Sequence, residues 1–341
     1  MKAATIAILL AFLVSTGYGQ KKAQTVIAFG SCNDENKSQE MWKEVLAQHP
    51  DVWIWGGDNI YADDNEPFEK MRARYEKQKS NTDYQRLLKS SLVTGTWDDH
   101  DYGINDGGKN FGKKKGSKEL FVDFIPFSNK NQFTKHDGVY NSITIGRHKQ
   151  KVKIINLDTR SFRDTVIRIT YMDSTTLTKS KKYEINPTGD VLGEEQWTWL
   201  TKELQDNTPQ LFIINSSIQV ISQDHRFEKW GNLPSAQKRL YNLIASATKR
   251  VLIISGDRHI AEFSKIRLPG LSYPLVDFTS SGMTHTWSEF WKEDNRYRVG
   301  DLVIQQTFGL ISIDWAGSSP KVTLQIKGLG GVTYGHQLIV F

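Results

Sequence analysis

The sequence predicts an α/β protein, and three observations carry that prediction. Short apolar runs of strand length alternate with stretches of helical periodicity along most of the 341 residues. Strand after strand stops at a glycine or at a cluster of chemically active side chains. No internal repeat and no linker divides the chain, so one α/β domain over residues 20–341 is expected, with loops at the C-terminal strand ends carrying the chemistry.

Each element follows from its local pattern. Residues 25–29 read as a strand ending at Gly30-Ser31-Cys32. Residues 38–49 read as a helix capped by Ser38, with Met41, Val45 and Leu46 on one face. Residues 51–55 form a second buried strand that also ends in glycine. Polar helical stretches at 66–80 and 84–89 lead to a third strand, 92–97, which runs into Asp98-Asp99-His100-Asp101. The segment 103–116 reads as a mobile loop, and 164–190 as an irregular insertion. Strands at 151–157, 211–215 and 251–255 are separated by helices at 194–204 and about 234–248. The tail from Pro274 has strand-like stretches and glycine-rich turns.

The ends and the composition narrow the function. Residues 1–19 have the layout of a secretory signal peptide: one Lys, an apolar run too short to span a bilayer, then small residues. Cleavage is expected near Gly19-Gln20, giving a secreted or periplasmic chain with no membrane anchor. Cys32 is the only cysteine, which excludes an intrachain disulfide. A lone thiol in an oxidising compartment must be buried or coordinated. The net charge of +6, with Lys clusters at 113–115 and 179–182 read as loops, favours anionic substrates. No basic helix or aromatic-interleaved repeat points to nucleic acid. The ten Trp could line a sugar-binding face, although several lie inside apolar strands, where core packing is the default.

Four strand-end clusters have ligand chemistry: Cys32, Asp58 with Tyr61, Asp99 with His100, and Asp257 with His259. Carboxylate, imidazole, phenolate and thiolate gathered at one crevice would form a metal cage. Asp58 could instead cap a helix. Three carboxylates within 98–101 are costly unless a cation or strong hydrogen bonds compensate them. In an extended segment Asp257 and His259 would point to one side. Asp158 with Arg160 reads as a structural ion pair, with Arg160 a lesser candidate for holding phosphate.

The sequence resembles the PhoD-like alkaline phosphatases and phosphodiesterases. The matching strings, in order, are Gly30-Ser31-Cys32-Asn33, Gly57-Asp58-Asn59-Ile60-Tyr61, Thr96-Trp97-Asp98-Asp99-His100-Asp101, Leu157-Asp158-Thr159-Arg160, Gly193-Glu194-Glu195-Gln196-Trp197 and Ser255-Gly256-Asp257-Arg258-His259. The resemblance implies a four-layer α-β-β-α metallophosphoesterase sandwich with two mixed sheets. It also implies a centre of Fe3+ and Ca2+ held by Cys32, Asp58, Tyr61, Asp257 and His259. A further Asn ligand maps onto Asn105, where the surrounding pattern departs from the family's, and Asp99 competes for that role. His100 and Arg258 are the candidates for protonating the leaving group and stabilising phosphoryl oxygens, and His285 for reaching the substrate. The expected activity is an exported alkaline phosphatase acting on phosphate esters, with phosphodiesterase or phospholipase D-type action as the alternative on the same centre. A rival of another class is a secreted carbohydrate-binding protein with a structural calcium.

Overall fold

The computed structural model describes residues 24–172, 178–290 and 292–341, so the signal-peptide expectation lies outside the described residues. The first half of the chain runs β1 (Gln24–Gly30), α1 (Met41–Ala47), β2 (Val52–Gly56), α2 (Phe68–Ser80), α3 (Thr82–Ser90), β3 (Leu92–Thr96), α4 (Asp99–Tyr102), α5 (Lys114–Phe124), β4 (Asn141–Ile145) and β5 (Val152–Asn156). The second half runs β6 (Arg168–Met172), β7 (Lys179–Tyr183), α6 (Gly193–Leu204), β8 (Leu211–Ser216), α7 (Pro234–Ala247), β9 (Val251–Ser255), β10 (Ala261–Ile266), β11 (Leu275–Ser280), β12 (Arg298–Val303), β13 (Thr307–Asp314), β14 (Lys321–Gly328) and β15 (Thr333–Ile339).

Two mixed sheets result. One has the order β15-β14-β13-β1-β2-β3, with β1, β2 and β3 parallel and the tail strands antiparallel. The other has the order β12-β10-β11-β9-β8-β5-β4, with a parallel centre from β5 to β11. Alternation along the strands shows how they stack. Ile27, Phe29, Val52 and Ile54 of the first sheet share a core with Ile154, Ile213, Ile254 and Phe278 of the second. Trp53 and Trp55, on the opposite face, pack with α1, α2, α3 and α5. Phe212, Ile214 and Ile253 pack with α6 and α7 on the far side. The four layers are α-β-β-α, and the strands are apolar on both faces because each sheet is covered twice.

Near the C-terminal strand ends the inter-sheet seam turns polar. Asn215 of β8 donates across it to the Trp55 carbonyl at 2.9 Å and, within its own sheet, to Asn156 of β5 at 2.9 Å. Polar pairing there brings the ends of β2 and β8 together, which is where the chemistry collects.

Several expectations need correction. The segment 103–116 is not a free loop: the Gly107 carbonyl accepts from Arg163 at 2.8 Å, and α5 starts at Lys114 within the presumed loop cluster. The insertion 164–190 contains an antiparallel hairpin, β6 with β7, closed at its base by the Asp164 N–H on the Asp190 carbonyl at 2.8 Å. Lys179–182 therefore lie in a strand. Helix α1 starts three residues after Ser38, and its cap, Glu40, makes no side-chain capping bond. Trp42, Trp53, Trp55, Trp97, Trp197 and Trp230 are wholly enclosed, so they form core and not a sugar-binding face. No helix among the described residues is long and apolar enough to cross a membrane.

Candidate active site

Four strand ends deliver the donors, those of β1, β2, β3 and β9, and three of them do so through an unusual turn. After β1 the chain turns at Cys32 (φ 57°), after β2 at Gly57 (φ 97°) and Asp58 (φ 51°), and after β9 at Asp257 (φ 69°) and His259 (φ 55°). Side chains with left-handed backbone are uncommon, and such strain gathers where function requires it. At Gly57 a Cβ would stand 2.6 Å from that of Asp98, so only glycine fits. The turns are locked to one another. The Asn33 N–H donates to the Asp58 carbonyl at 2.9 Å, and the Asn59 N–H donates to Asp101 at 3.0 Å. Because Asp257 and His259 sit in a left-handed turn, the extended-segment reason for placing them on one side does not apply.

Asp58 is the hub. Its Oδ2 accepts from the Tyr61 hydroxyl at 3.3 Å and lies 3.5 Å from the Cys32 Sγ; its Oδ1 accepts the His100 N–H at 3.4 Å. The Tyr61 hydroxyl also lies 3.3 Å from His259 Nε2. Two donor groups form around Asp58: Cys32, Asp58 and His259 in one, and Asp58, Asp99 and His100 in the other, each within 4.8 Å. The rings hold the donors in place. His100 stacks on Tyr61 at 4.1 Å, Trp287 stacks on His259 at 4.4 Å, and His285 packs edge-on to Tyr61 at 4.9 Å. His100 Nδ1 lies 3.1 Å from the Ala62 carbonyl, which can only accept, so Nδ1 carries a proton and Nε2 is left as the ring nitrogen without that bond.

The electrostatics test whether a metal suits this set. Burial pushes the Cys32 thiol well up, and Asp58 and Asp257 add to the effect. Burial and then Asp99 push Asp58 well up, and burial with Cys32 and Asp58 does the same to Tyr61. His259 is driven down to about 3 by burial and His285, which keeps it neutral. Asp99 goes the other way: burial would raise it, but His100 and Arg160 hold it at about 2. The partners of Cys32, Asp58 and Tyr61 are one another, Ser31, the His100 amide and His259. Thiol, phenol and carboxyl groups crowded with no cationic partner among the described residues are what a metal cation would ionise and bind. The residues fit a metal.

The remaining predicted residues fall in different places. Asp257 lines the same cleft but joins neither donor group, and Asn105, also on the cleft, gives its amide to Asp106 at 2.6 Å. Asp99, the competing position, stands within ligand distance of Asp58 and His100, and both Asp99 and Asn105 line the cleft. Arg258 lines the cleft and forms two 2.7 Å bonds to Glu293, with Phe227 under its guanidinium. His285 touches the cluster through its ring. Arg160 does not reach the cleft. It is fully enclosed, with Nε on Asp98 at 2.5 Å and Nη1 on Glu228 at 2.6 Å. Its ion pair is thus with those two acids and not with Asp158, whose carboxylate accepts the N–H groups of Val139, Arg160 and Ser161.

The PhoD-like phosphatase profile matches residues 27–293. The chain belongs to that family. It is therefore a phosphoric ester hydrolase, and a metal-dependent one. In fold it is similar to the solved structure of PhoD, with a TM-score of 0.69 and 17% identity over 94% of this chain and 69% of that one. It is also similar to a dimetal phosphatase from Danio rerio, with a TM-score of 0.54 and 10% identity over 93% of this chain and 99% of that one. Both likenesses support the metallophosphoesterase sandwich. Among curated proteins no match is found.

Sequence reasoning missed several residues that line the cleft, among them Asp106, Glu228 and Trp287. Asp106, beside Asn105, donates its N–H to Asp99 at 2.8 Å and accepts from the Tyr183 hydroxyl. The carboxylate string 98–106 was the available signal for it. Glu228 and Trp287 lie in stretches with no pattern to mark them. Within 98–101 the charges divide: Asp98 pairs with Arg160, Asp101 accepts from Asn59 and Tyr75, and Asp99 alone faces the donors.

Proposed function

We propose that this chain is an exported alkaline phosphatase that hydrolyses phosphate esters at an iron–calcium centre. The observation that carries the reading is the Tyr61 hydroxyl set between Asp58 and His259, with Cys32 on the same carboxylate. Thiolate, phenolate and imidazole suit a trivalent iron, while Asp58, Asp99 and the oxygen-rich side suit calcium. Cys32, Asp58, Tyr61 and His259 would hold the first ion, with Asp257 alongside. Asp58 and Asp99 would hold the second, with Asn105 within the same cleft. The chemistry that a bound metal pair supplies is Lewis acidity toward phosphoryl oxygens and toward the water that serves as nucleophile.

The chain's own residues do the rest. His100 and Arg258 line the cleft where the ester would sit. His100 with Nε2 protonated could give that proton to the leaving alkoxide, and as a neutral ring it could accept one from water. Arg258, fixed by Glu293, presents positive charge to the phosphoryl oxygens. Trp287 and His285 pack their rings against His259 and Tyr61. The apolar run at 3–14 supports export, and coordination explains the retention of one cysteine in such a chain.

Removal of both iron and calcium by chelation should abolish turnover of a phosphomonoester, and re-addition should restore it. Full activity without either ion overturns the proposal. The loaded protein should also show a visible charge-transfer band from Tyr61 and Cys32; a colourless active enzyme excludes ferric iron.

A further inference from the structure

The hairpin β6–β7 belongs to neither core sheet, yet it forms one wall of the cleft over the donor groups. The cleft, of about 430 Å³, is lined by Arg168, Lys179, Lys181, Lys182, Arg226 and Arg258 as well as by the metal-side acids. Those charges are arranged unevenly. Asp58, Asp99 and Asp257 occupy the strand ends, whereas the cations crowd the hairpin.

Strand register places part of this charge in a line. Arg168 pairs with Tyr183, Thr170 with Lys181, and Met172 with Lys179, so all six residues share one face of the hairpin. That face is anchored to the site, because Tyr183 and Arg168 both meet Asp106, whose N–H holds Asp99. With a strand rise of about 3.3–3.4 Å per residue, Lys181 lies about 7 Å and Lys179 about 14 Å from that anchor. Among the described residues no acidic side chain pairs with Lys179 or Lys181, while Arg168 already has Asp106. Two lysines exposed on the wall of an enzyme cleft, in a row leading away from the reacting end, are a binding feature for negative charge.

We propose that the hairpin selects phosphate esters carrying a second phosphate on the leaving-group side, with Lys181 and Lys179 as the residues that bind it. This rests on the phosphatase reading of the same cleft. The scissile phosphate sits at the donor groups, and the distal phosphate lies along the lysine row. A second phosphate brings about two negative charges at neutral pH. An uncharged leaving group leaves the row unused.

A matched series tests this on the metal-loaded full chain: straight alkyl phosphates against alkanediol bisphosphates of equal carbon number and increasing spacer. The bisphosphate should be preferred in kcat/KM by tenfold or more at low ionic strength, chiefly through KM, with an optimum at one spacer length. The paired substitution Lys179→Glu with Lys181→Glu should reduce that ratio at least tenfold, and Lys179→Arg with Lys181→Arg should preserve it. Equal kcat/KM for the two series in the wild type, or a ratio unmoved by charge reversal, overturns the proposal while leaving the phosphatase intact. Failure of the loaded wild type to hydrolyse either series overturns the phosphatase reading instead.

Discussion

Two clusters of buried charge sit side by side in this protein, and they are stabilised in opposite ways. Around Arg160 the charges balance internally: Asp98 and Glu228 flank its guanidinium, and Arg163 meets Glu228 at 2.7 Å. Burial still lifts Asp98, but only to about 6, because Arg160 opposes it. Around Asp58 the acidic groups face one another, and burial raises all of Cys32, Asp58 and Tyr61. The chain completes the first cluster by itself, whereas the second has the make-up that a cation from solution would complete. The first cluster is structure, and the second is chemistry.

The strongest way to sharpen that contrast is Asp58→Asn, which keeps the shape and removes the shared carboxylate. Phosphoesterase activity should fall about 1,000-fold, a change of about 4 kcal/mol in barrier height, whereas the metal-free variant should melt no lower than metal-free wild type. A lower melting temperature would show that Asp58 holds the fold. Arg160→Met should do the reverse. It leaves Asp98 and Glu228 buried without their partner, and urea denaturation should register a loss of about 3–5 kcal/mol. An Arg160→Met protein of wild-type stability would mean that the network is not compensated as described.

Cys32→Ser probes one donor. Replacing a soft thiolate by a hydroxyl should weaken iron retention by about tenfold or more and move the visible band, as metal analysis and absorption would show. The smallest effect concerns pH. His225 is buried and neutral, pushed well down by burial and by Arg258, Lys229 and Arg298, and its Nδ1 accepts the Phe227 N–H at 3.2 Å. The unfolded chain takes up a proton there below about pH 6.5, so His225 favours folding fully above that pH and less as pH falls. Below about pH 6.5 the stability should therefore fall as the pH is lowered, with a slope of at most about 1.4 kcal/mol per pH unit for this one group. His225→Gln should flatten it; an unchanged slope would assign the acid sensitivity elsewhere.

The contrast between the clusters also explains what the sequence could tell. The strands around Trp55, Ile213 and Ile254 were legible because burial on both faces leaves an unbroken apolar run. The donors were legible because they directly follow those runs. β4 and β10 were not, since β4 is only partly buried and β10 mixes Glu262, Ser264 and Lys265 into a strand. Arg160 was misassigned because its true partners are 62 and 68 residues away, and spacing favours the neighbour Asp158. The hairpin β6–β7 looked irregular because exposed polar strands resemble loops in composition. Asp106 was overlooked because its role depends on Tyr183, 77 residues away.

The distances along the chain that separate the donors have a temporal consequence. Tyr61 and His259 are 198 residues apart, one following a strand of the first sheet and the other a strand of the second. A polypeptide lengthening from its N-terminus holds Cys32, Asp58 and Tyr61 early, but lacks the imidazole until β9 is made. On the proposed ligand set, a metal would until then find only part of its cage. Full-affinity capture by that set would be deferred until both sheets have closed on each other, which would make the centre a late reporter of correct assembly.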